Sequence, residues 1–369
     1  MGKSNDHRWA CACIKGATRR GFLQGSLSSL GAASARSLGL GGLGLSALAA
    51  CVSTPIKTQS SRIDVHHHIA PPPWVSALKK SKLDSPPVNN WTVQRSLDDM
   101  DKAGISTAMT SPTLPAVGFL DPKEAAEVAR ASNEYARKLA GDHPGRFGLF
   151  ALLPMPHVDE TLREIAYAFD VLKCDGVAFM TSYGDKLLGD KAFAPVMDEL
   201  QRRKATAYTH PNEPACCRNL STGVPSVIIE YGTDTTRTIA SLIFSGTSMR
   251  CKDINFIFSH GGGTISALTE RFAVQAVSMP GMKERGMTGE SVMGEIRRFY
   301  YDTAQASNPI AMASITKMID HSQIVFGSDY PYRTSLEHVN NLSKLFDAQI
   351  LRKIDYENAQ RILPRVKLL

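Results

Sequence analysis

Cysteine is scarce in this chain of 369 residues. Of its seven cysteines, four lie beyond residue 51, and these are Cys174, Cys216, Cys217 and Cys251. Four thiols in a body of 318 residues do not form a disulfide framework, and the absence of any CxxC pair argues against a cysteine-based zinc site. One disulfide remains compatible with the sequence.

Positive charge is also sparse over most of the chain. The formal net charge is +7, but residues 1–51 contain six Lys or Arg side chains against one Asp, so the remaining 318 residues carry only +2. These residues contain no basic run and no alternation of basic with aromatic residues. We therefore expect no nucleic-acid partner.

Residues 1–51 differ in composition from the rest and predict an export signal. The segment Thr18-Arg19-Arg20-Gly21-Phe22-Leu23-Gln24 contains a twin-arginine pair, and a stretch rich in Gly, Ala, Ser and Leu continues from it to Ala50. This pattern is typical of the twin-arginine export route. A transmembrane helix is the alternative, but Arg36 disfavours it because a central arginine costs about 2.5–3.5 kcal/mol.

The export signal ends in a sequence that predicts lipid attachment. Leu48-Ala49-Ala50-Cys51 is similar to a lipoprotein processing box, in which Cys51 would be the lipidated residue. We therefore expect residues 1–51 to be the signal, 52–61 a linker and 62–369 the folded domain. The mature protein would be periplasmic and held to the membrane only by a lipid on Cys51.

From residue 62 onward, short apolar runs alternate with amphipathic segments. The eight predicted strands are 63–67, 105–110, 147–153, 176–181, 206–209, 254–259, 299–302 and 324–327. Predicted helices between them include 122–140, 160–172, 194–203, 233–245, 264–277 and 309–319. Eight strand–helix units in about 300 residues predict an α/β fold, the TIM (β/α)8 barrel. An open doubly wound sheet is the alternative, but no glycine-rich phosphate loop follows the first strand.

Three longer connections interrupt this alternation. Residues 70–90 are rich in Pro, Lys and Ser and predict a long loop over the first strand. Residues 211–225 follow the fifth strand, and residues 279–294 precede the seventh. The last segment, 336–369, predicts two or three helices that close the barrel.

Histidines lie at the end of the first predicted strand, in Asp64-Val65-His66-His67-His68. Because side chains alternate across a strand, His66 and His68 share one face while His67 points to the other. Two imidazoles at positions i and i+2 can hold one cation.

Three other strand ends carry residues of the same chemistry. The fifth strand ends in His210, the sixth in His260 before Gly261–Gly263, and the eighth in Asp329. In a TIM barrel these C-terminal ends converge on one pocket, so the sequence predicts a divalent metal site there. Imidazole and carboxylate ligands suit Zn²⁺, with Mn²⁺ or Fe²⁺ as alternatives. The other histidines of the body are expected to be structural: His67, His143, His157, His321 and His338.

These motifs resemble those of the amidohydrolase superfamily. Within that superfamily they are most similar to the branch that includes aminocarboxymuconate-semialdehyde, γ-resorcylate and 6-methylsalicylate decarboxylases. The resemblance extends from Arg62-Ile63-Asp64-Val65-His66-His67-His68 to Phe326-Gly327-Ser328-Asp329-Tyr330-Pro331. Further similar segments are 143–148, 172–177, 234–238 and 259–263.

The resemblance implies roles for the residues at the strand ends. The implied metal ligands are His66, His68, His210 and Asp329. His260 is implied to be the acid/base that does not bind the metal, and Asp329 is also a candidate proton carrier. Two-metal members of the superfamily place a carboxylated Lys or a Glu after strand four. Here that strand ends in Val177-Ala178-Phe179-Met180-Thr181-Ser182, so we expect one metal, preferably Zn²⁺, with Mn²⁺ possible.

The activity implied is non-oxidative decarboxylation of a small hydroxyaromatic or related unsaturated carboxylic acid by a carboxy-lyase, and the assembly implied is a homodimer or larger. Arg237 is a candidate clamp for the substrate carboxylate, or alternatively a solvated or helix-capping residue. Phe179 and Tyr330 are candidate contacts to the substrate ring. Trp74 and Trp91 either line the pocket or pack the loop.

Two other functions remain alternatives. A hydrolase acting on a lactone or amide would use the same side chains, with His260 as general base toward water. A lipid-anchored binding protein that has lost catalysis is disfavoured, because both His260 and Asp329 are present.

Overall fold

The structure is a computed structural model that describes residues 62–214, 217 and 223–366. The predicted export signal 1–51 with Cys51, the linker 52–61 and Cys216 lie outside the described residues. All described residues belong to one compact unit, Lys57–Leu369. Within this described part, every helix is too short or too polar to cross a membrane.

Eight parallel strands form the main sheet. They are β1 Arg62–His68, β2 Ile105–Ser111, β3 Phe147–Leu152, β4 Gly176–Met180, β7 Thr206–His210, β8 Asn255–Phe258, β9 Tyr300–Asp302 and β10 Ile324–Val325. Two short strands, β5 Ser182–Tyr183 and β6 Lys186–Leu187, form a separate antiparallel hairpin. Each of the eight pairs with its neighbour along the chain, and all eight were predicted from the sequence.

The segment after β10 brings the two ends of the sheet together. The backbone N–H of Val65 donates to the Phe326 carbonyl at 2.9 Å, and that of Asp329 donates to the His66 carbonyl at 2.8 Å. The N–H of His68 donates to the Tyr330 carbonyl at 2.8 Å. The first strand therefore contacts the last segment of the ring, and the predicted TIM barrel is confirmed.

Helices surround the strands. They are α1 Pro72–Lys80, α2 Pro86–Asn89, α3 Val93–Ala103, α4 Pro122–Asp142, α5 Val158–Asp170, α6 Ala194–Arg203, α7 Glu230–Phe244, α8 Thr247–Arg250, α9 Ile265–Ser278, α10 Gly289–Arg298, α11 Pro309–Met318, α12 Ser335–Leu342, α13 Ala348–Arg352 and α14 Asn358–Ile362. A π-helical turn, Lys353–Glu357, joins the last two. The predicted C-terminal helices are therefore present.

The prediction of a long loop at 70–90 was wrong, because α1 and α2 occupy most of it. Proline begins both helices, where its fixed φ suits the first turn and its missing N–H costs nothing. The fully buried ring of Trp74 anchors α1, and its indole N–H donates to the Ala116 carbonyl at 2.7 Å. This segment is thus a packed cover over the first strand, and Trp74 is a packing residue.

Two apolar clusters make up the core. The larger lies between strands and helices and includes Val177, Phe179 and Phe256. The smaller fills the barrel with side chains such as Val65, Phe150 and Tyr208, and the C-terminal residues Ile362, Leu363 and Val366 pack against it. The barrel interior is therefore solid below the strand ends that carry the histidines.

Candidate active site

Five side chains from four strand ends meet in one place. His66 and His68 lie on β1, His210 ends β7, and His260 and Asp329 follow β8 and β10. One ligand-type atom from each of His66, His210, His260 and Asp329 lies within 4.8 Å of the others. His68 joins them, because its Nε2 is 3.1 Å from His66 Nε2. The structure thus brings together all five strand-end residues that the sequence singled out.

The imidazoles of β1 and β7 are held with Nε2 facing inward. Nδ1 of His66 is 2.7 Å from Asp302 Oδ2, and Nδ1 of His68 is 3.3 Å from the Ser111 carbonyl. Nδ1 of His210 is 2.9 Å from the Pro211 carbonyl. Because these partners only accept hydrogen bonds, they favour a proton on Nδ1 and a lone pair on Nε2.

The carboxylate of Asp329 divides its two oxygens between different partners. Oδ1 lies 3.2 Å from His66 Nε2 and 3.3 Å from His68 Nε2, but it is buried with no hydrogen-bond partner among the described residues. Oδ2 lies 3.4 Å from His260 Nε2 and accepts a hydrogen bond from Gln305. An unpartnered carboxylate oxygen beside inward-facing Nε2 atoms fits a bound divalent cation.

His260 differs from the other histidines in its accessibility. Its side chain is 12% exposed, whereas those of His66 and His68 are 0% and 2% exposed. Its backbone has φ of 54° and that of Asp329 has φ of 64°, in the left-handed region that non-glycine residues avoid. Such conformations cost about 1–3 kcal/mol each and cluster at functional sites. His260 is therefore the imidazole best placed to meet a bound molecule.

Burial and charge act in opposite directions on these groups. Burial disfavours the imidazolium and therefore lowers the pKa of His68. It lowers the pKa of His210 by more. At His66 burial acts in the same sense, but the carboxylates of Asp302 and Asp329 outweigh it and raise the pKa to about 10, so a cation that binds at Nε2 must displace a proton there. Burial opposes ionisation of Asp329, yet the neighbouring imidazoles hold its pKa well below the usual range. The site thus favours an ionised Asp329, the form that binds cations.

His67 points away from this cluster, as its place on the strand predicted. Its Nε2 is 2.9 Å from the Ser96 hydroxyl, which also accepts the indole N–H of Trp91 at 3.0 Å. Its ring stacks on Tyr330 with the centroids 4.7 Å apart. His67 is therefore a structural residue, and the ring of Tyr330 packs against it.

A narrow cleft opens beside His68. The ring of Tyr332 forms one wall, with its centroid 5.9 Å from that of His68. The remaining lining is largely apolar and comes from Ile69, Ala70, Pro87, Val88, Trp91, Thr113 and Pro331. Much of this wall belongs to the helical insertion that covers the first strand.

The other predicted substrate contacts lie elsewhere. Phe179 has no exposed surface and packs in the cluster between strands and helices. Arg237 lies on α7 with Nη1 3.4 Å from Glu230 Oε2 and 3.9 Å from Asp234 Oδ1. Its role as a carboxylate clamp stays a prediction. After β4, the hydroxyls of Thr181 and Ser182 donate to Asp234.

Sequence reasoning missed Asp302, Gln305, Thr113 and Tyr332. Asp302 could have been found, because it ends the predicted strand 299–302 just as the other site residues end theirs. Gln305 reaches Asp329 from a loop, and Tyr332 and Thr113 meet only in the folded chain, so no pattern of spacing marks them.

The sequence is similar to known proteins over most of its length. The profile of the amidohydrolase family Amidohydro_2 matches residues 63–365. The chain belongs to this family. Decarboxylase yanB of Aspergillus niger is 35% identical over 329 residues, which cover 83% of this chain and 88% of that protein. The 6-methylsalicylic acid decarboxylase of Penicillium expansum is 31% identical, covering 83% of this chain and 97% of that protein.

A solved structure supports the fold. The dihydroxybenzoic acid decarboxylase of Polaromonas sp. JS666, with bound manganese and the inhibitor 2-nitroresorcinol, superposes with a TM-score of 0.73. It is 19% identical, with 83% of this chain and 98% of that chain covered. The amidohydrolase family and the barrel are therefore confirmed, and the decarboxylases among the relatives support the expected carboxy-lyase.

Proposed function

We propose that this chain is a metal-dependent, non-oxidative decarboxylase of a small hydroxyaromatic carboxylic acid. The observation that carries the proposal is that the two oxygens of the Asp329 carboxylate face different groups. Its Oδ1 faces the Nε2 atoms of His66 and His68, and its Oδ2 faces His260. One carboxylate thereby joins a cation site to the most accessible imidazole. Its decarboxylase relatives supply the reaction type.

The ligands proposed for the metal are His66, His68, His210 and Asp329. When bound, the ion would supply Lewis-acid attraction for the carboxylate and phenolate oxygens of the substrate. The donor set accommodates Zn²⁺, our first preference, as well as Mn²⁺. The manganese in the Polaromonas structure supports the second ion.

His260 and Asp329 are proposed to move the proton. In this step a proton on His260 Nε2, shared with Asp329 Oδ2 across 3.4 Å, passes to the ring carbon that bears the carboxyl group. A ring π pair forms the new C–H bond, and the ring loses aromaticity. The C–C bond to the carboxylate then breaks, its electron pair returns to the ring, and CO2 leaves. Solvent returns a proton to His260, which its 12% exposure permits.

The cleft beside His68 is proposed to hold the edge of the aromatic ring. Its walls of Trp91, Tyr332 and Val88 suit the apolar face of an aromatic ring. Arg237 and Tyr330 remain candidates for the substrate carboxylate and ring. The relatives are named for 6-methylsalicylate and dihydroxybenzoate, which are hydroxyaromatic acids of this kind.

We further propose that the chain is exported by the twin-arginine route, lipidated at Cys51 and anchored in the periplasm, and that it assembles as a homodimer or larger. The sequence motif around Arg19 and Arg20 supports export, and the Leu48–Cys51 segment supports lipidation. Mass spectrometry of the protein isolated from its own membranes would test the lipid.

The activity is tested by measuring CO2 release from a panel of hydroxylated benzoic acids, with the full chain loaded with Zn²⁺ or Mn²⁺. We expect release from ortho-hydroxybenzoates that is lost in His260→Ala and Asp329→Asn and kept in His143→Ala, a histidine outside the site. Absence of release from protein that holds one metal per chain would refute the decarboxylase. Turnover of lactones by that protein would assign the hydrolase instead.

A further inference from the structure

Asp302 contacts two parts of the site at once. It ends β9 and is fully buried. Its Oδ2 lies 2.7 Å from His66 Nδ1. Its Oδ1 accepts the backbone N–H of His260 at 2.8 Å and that of Ala304 at 3.0 Å. A single carboxylate therefore holds an imidazole from β1 and the loop that carries His260.

Its contact with His66 is chemically distinct. Nδ1 of His68 and Nδ1 of His210 face the neutral backbone carbonyls of Ser111 and Pro211. Nδ1 of His66 instead faces the carboxylate of Asp302. Hydrogen bonds to an ionised acceptor are roughly twice as strong as neutral ones. Because a carboxylate can only accept, this contact requires a proton on Nδ1 and directs Nε2 toward Asp329.

Its contact with His260 acts on the backbone. The φ of 54° at His260 is unfavourable for a residue with a side chain, so it persists only where the surroundings impose it. The hydrogen bond from the His260 N–H to Asp302 Oδ1 is one such constraint, and the neighbouring bond from Ala304 fixes the carboxylate.

We propose that Asp302 is a positioning residue that sets the tautomer of His66 and the backbone conformation of His260, and so aligns the metal ligand with the proton donor. This inference rests on the proposed role of His66 as a metal ligand. It assigns a function to the end of β9, from which no ligand was expected.

The isosteric change Asp302→Asn separates these two contacts. An asparagine oxygen placed at Oδ1 still accepts both backbone N–H groups, and its NH2 then faces His66 Nδ1. The reverse orientation would leave two buried N–H groups unpaired, which costs about 1–3 kcal/mol each, so it is disfavoured. Nδ1 must then accept a hydrogen bond, and the proton moves to Nε2, where it blocks the cation.

Asp64→Asn is the matched control. Asp64 is also fully buried at this end of the barrel, and its Oδ1 accepts the N–H groups of His66 and Ser328 at 3.0 Å. Its Oδ2 lies 3.3 Å from Nδ1 of His67, whose imidazole points away from the site. The control therefore removes a buried negative charge without touching a ligand imidazole.

The experiment titrates the metal-free full chain and both variants with Mn²⁺ by calorimetry. We expect the Mn²⁺ affinity of Asp302→Asn to fall by about 10-fold to 100-fold, the usual effect of changing a residue that hydrogen-bonds a metal ligand. We expect the Mn²⁺ affinity of Asp64→Asn to stay within about threefold of the unchanged protein. Equal affinities for Asp302→Asn and the unchanged protein would overturn the proposal, as would equal losses in both variants.

A second measurement applies even if Asp302→Asn does not fold. In the zinc-loaded unchanged protein with 15N-labelled histidine, NMR should show His66 with a proton on Nδ1 and no proton on Nε2. A proton on Nε2 would overturn the proposal. If the unchanged protein binds metal but decarboxylates no acid, the proposed function fails, while the metal affinities and the tautomer still decide the role of Asp302.

Discussion

Gly263 lies in the loop that carries His260 and faces the backbone of α7 at Gly232. Its φ is +67°, and a Cβ added there would lie 1.9 Å from the carbonyl oxygen of Gly232. That oxygen belongs to a helix backbone and cannot rotate away as a side chain could. We therefore expect Gly263→Ala to displace the loop or the helix.

The loss of unfolding free energy expected for Gly263→Ala has two contributions. A side chain at positive φ costs about 1–2 kcal/mol, and forcing extra volume into a packed site costs about 1–3 kcal/mol more. Gly184 isolates the first contribution, because its φ is +64° and no described atom lies within 4 Å of an added Cβ. We expect Gly263→Ala to lose about 2–5 kcal/mol of unfolding free energy and Gly184→Ala about 1–2 kcal/mol.

Equilibrium unfolding in urea measures both variants against the unchanged protein. The midpoint should fall clearly further for Gly263→Ala than for Gly184→Ala. Metal affinity should also fall for Gly263→Ala alone, since the loop shares its hydrogen bonds with the site. Equal midpoints would refute the reasoning, because they would show that the backbone contact at Gly232 relaxes without cost.

Three further outcomes are expected. Removing the metal with a chelator should lower the unfolding free energy by about 2.7 kcal/mol, compared with protein in free metal at 100 times the metal Kd. An unchanged urea midpoint would contradict the proposed metal site. Gln305→Ala deprives Asp329 Oδ2 of a donor, so kcat should fall about 10-fold to 100-fold while metal content is kept. Trp91→Ala removes a wall of the cleft, so KM for an aromatic acid should rise about tenfold while kcat changes less.

The barrel and most of the site could be predicted because parallel strands impose a simple rule. Their C-terminal ends share one face, so polar residues at the ends of separate strands must meet. That rule located His66, His210, His260 and Asp329, which the structure places within 4.8 Å of one another. The same rule applies to Asp302, which ends the predicted strand 299–302.

Other features depend on tertiary packing that spacing does not encode. The prolines and lysines of 70–90 resemble a loop in composition, yet the burial of Trp74 stabilises helices there. Alternation along β4 shows that Phe179 and Ala178 point in opposite directions, but not which of them faces the barrel interior. The structure places Ala178 inside and Phe179 among the helices. The cleft is likewise assembled from four separate segments.

The central claim is that His260 and Asp329 deliver a proton to the carbon that loses CO2. The most direct test is to run the metal-loaded full chain with an ortho-hydroxybenzoate in D2O and follow the product by NMR. We predict one deuterium at the former carboxyl-bearing carbon for each CO2 released, and loss of both products in His260→Ala. A product that keeps its carboxylate, or CO2 release that survives in His260→Ala at the full rate, would contradict the account.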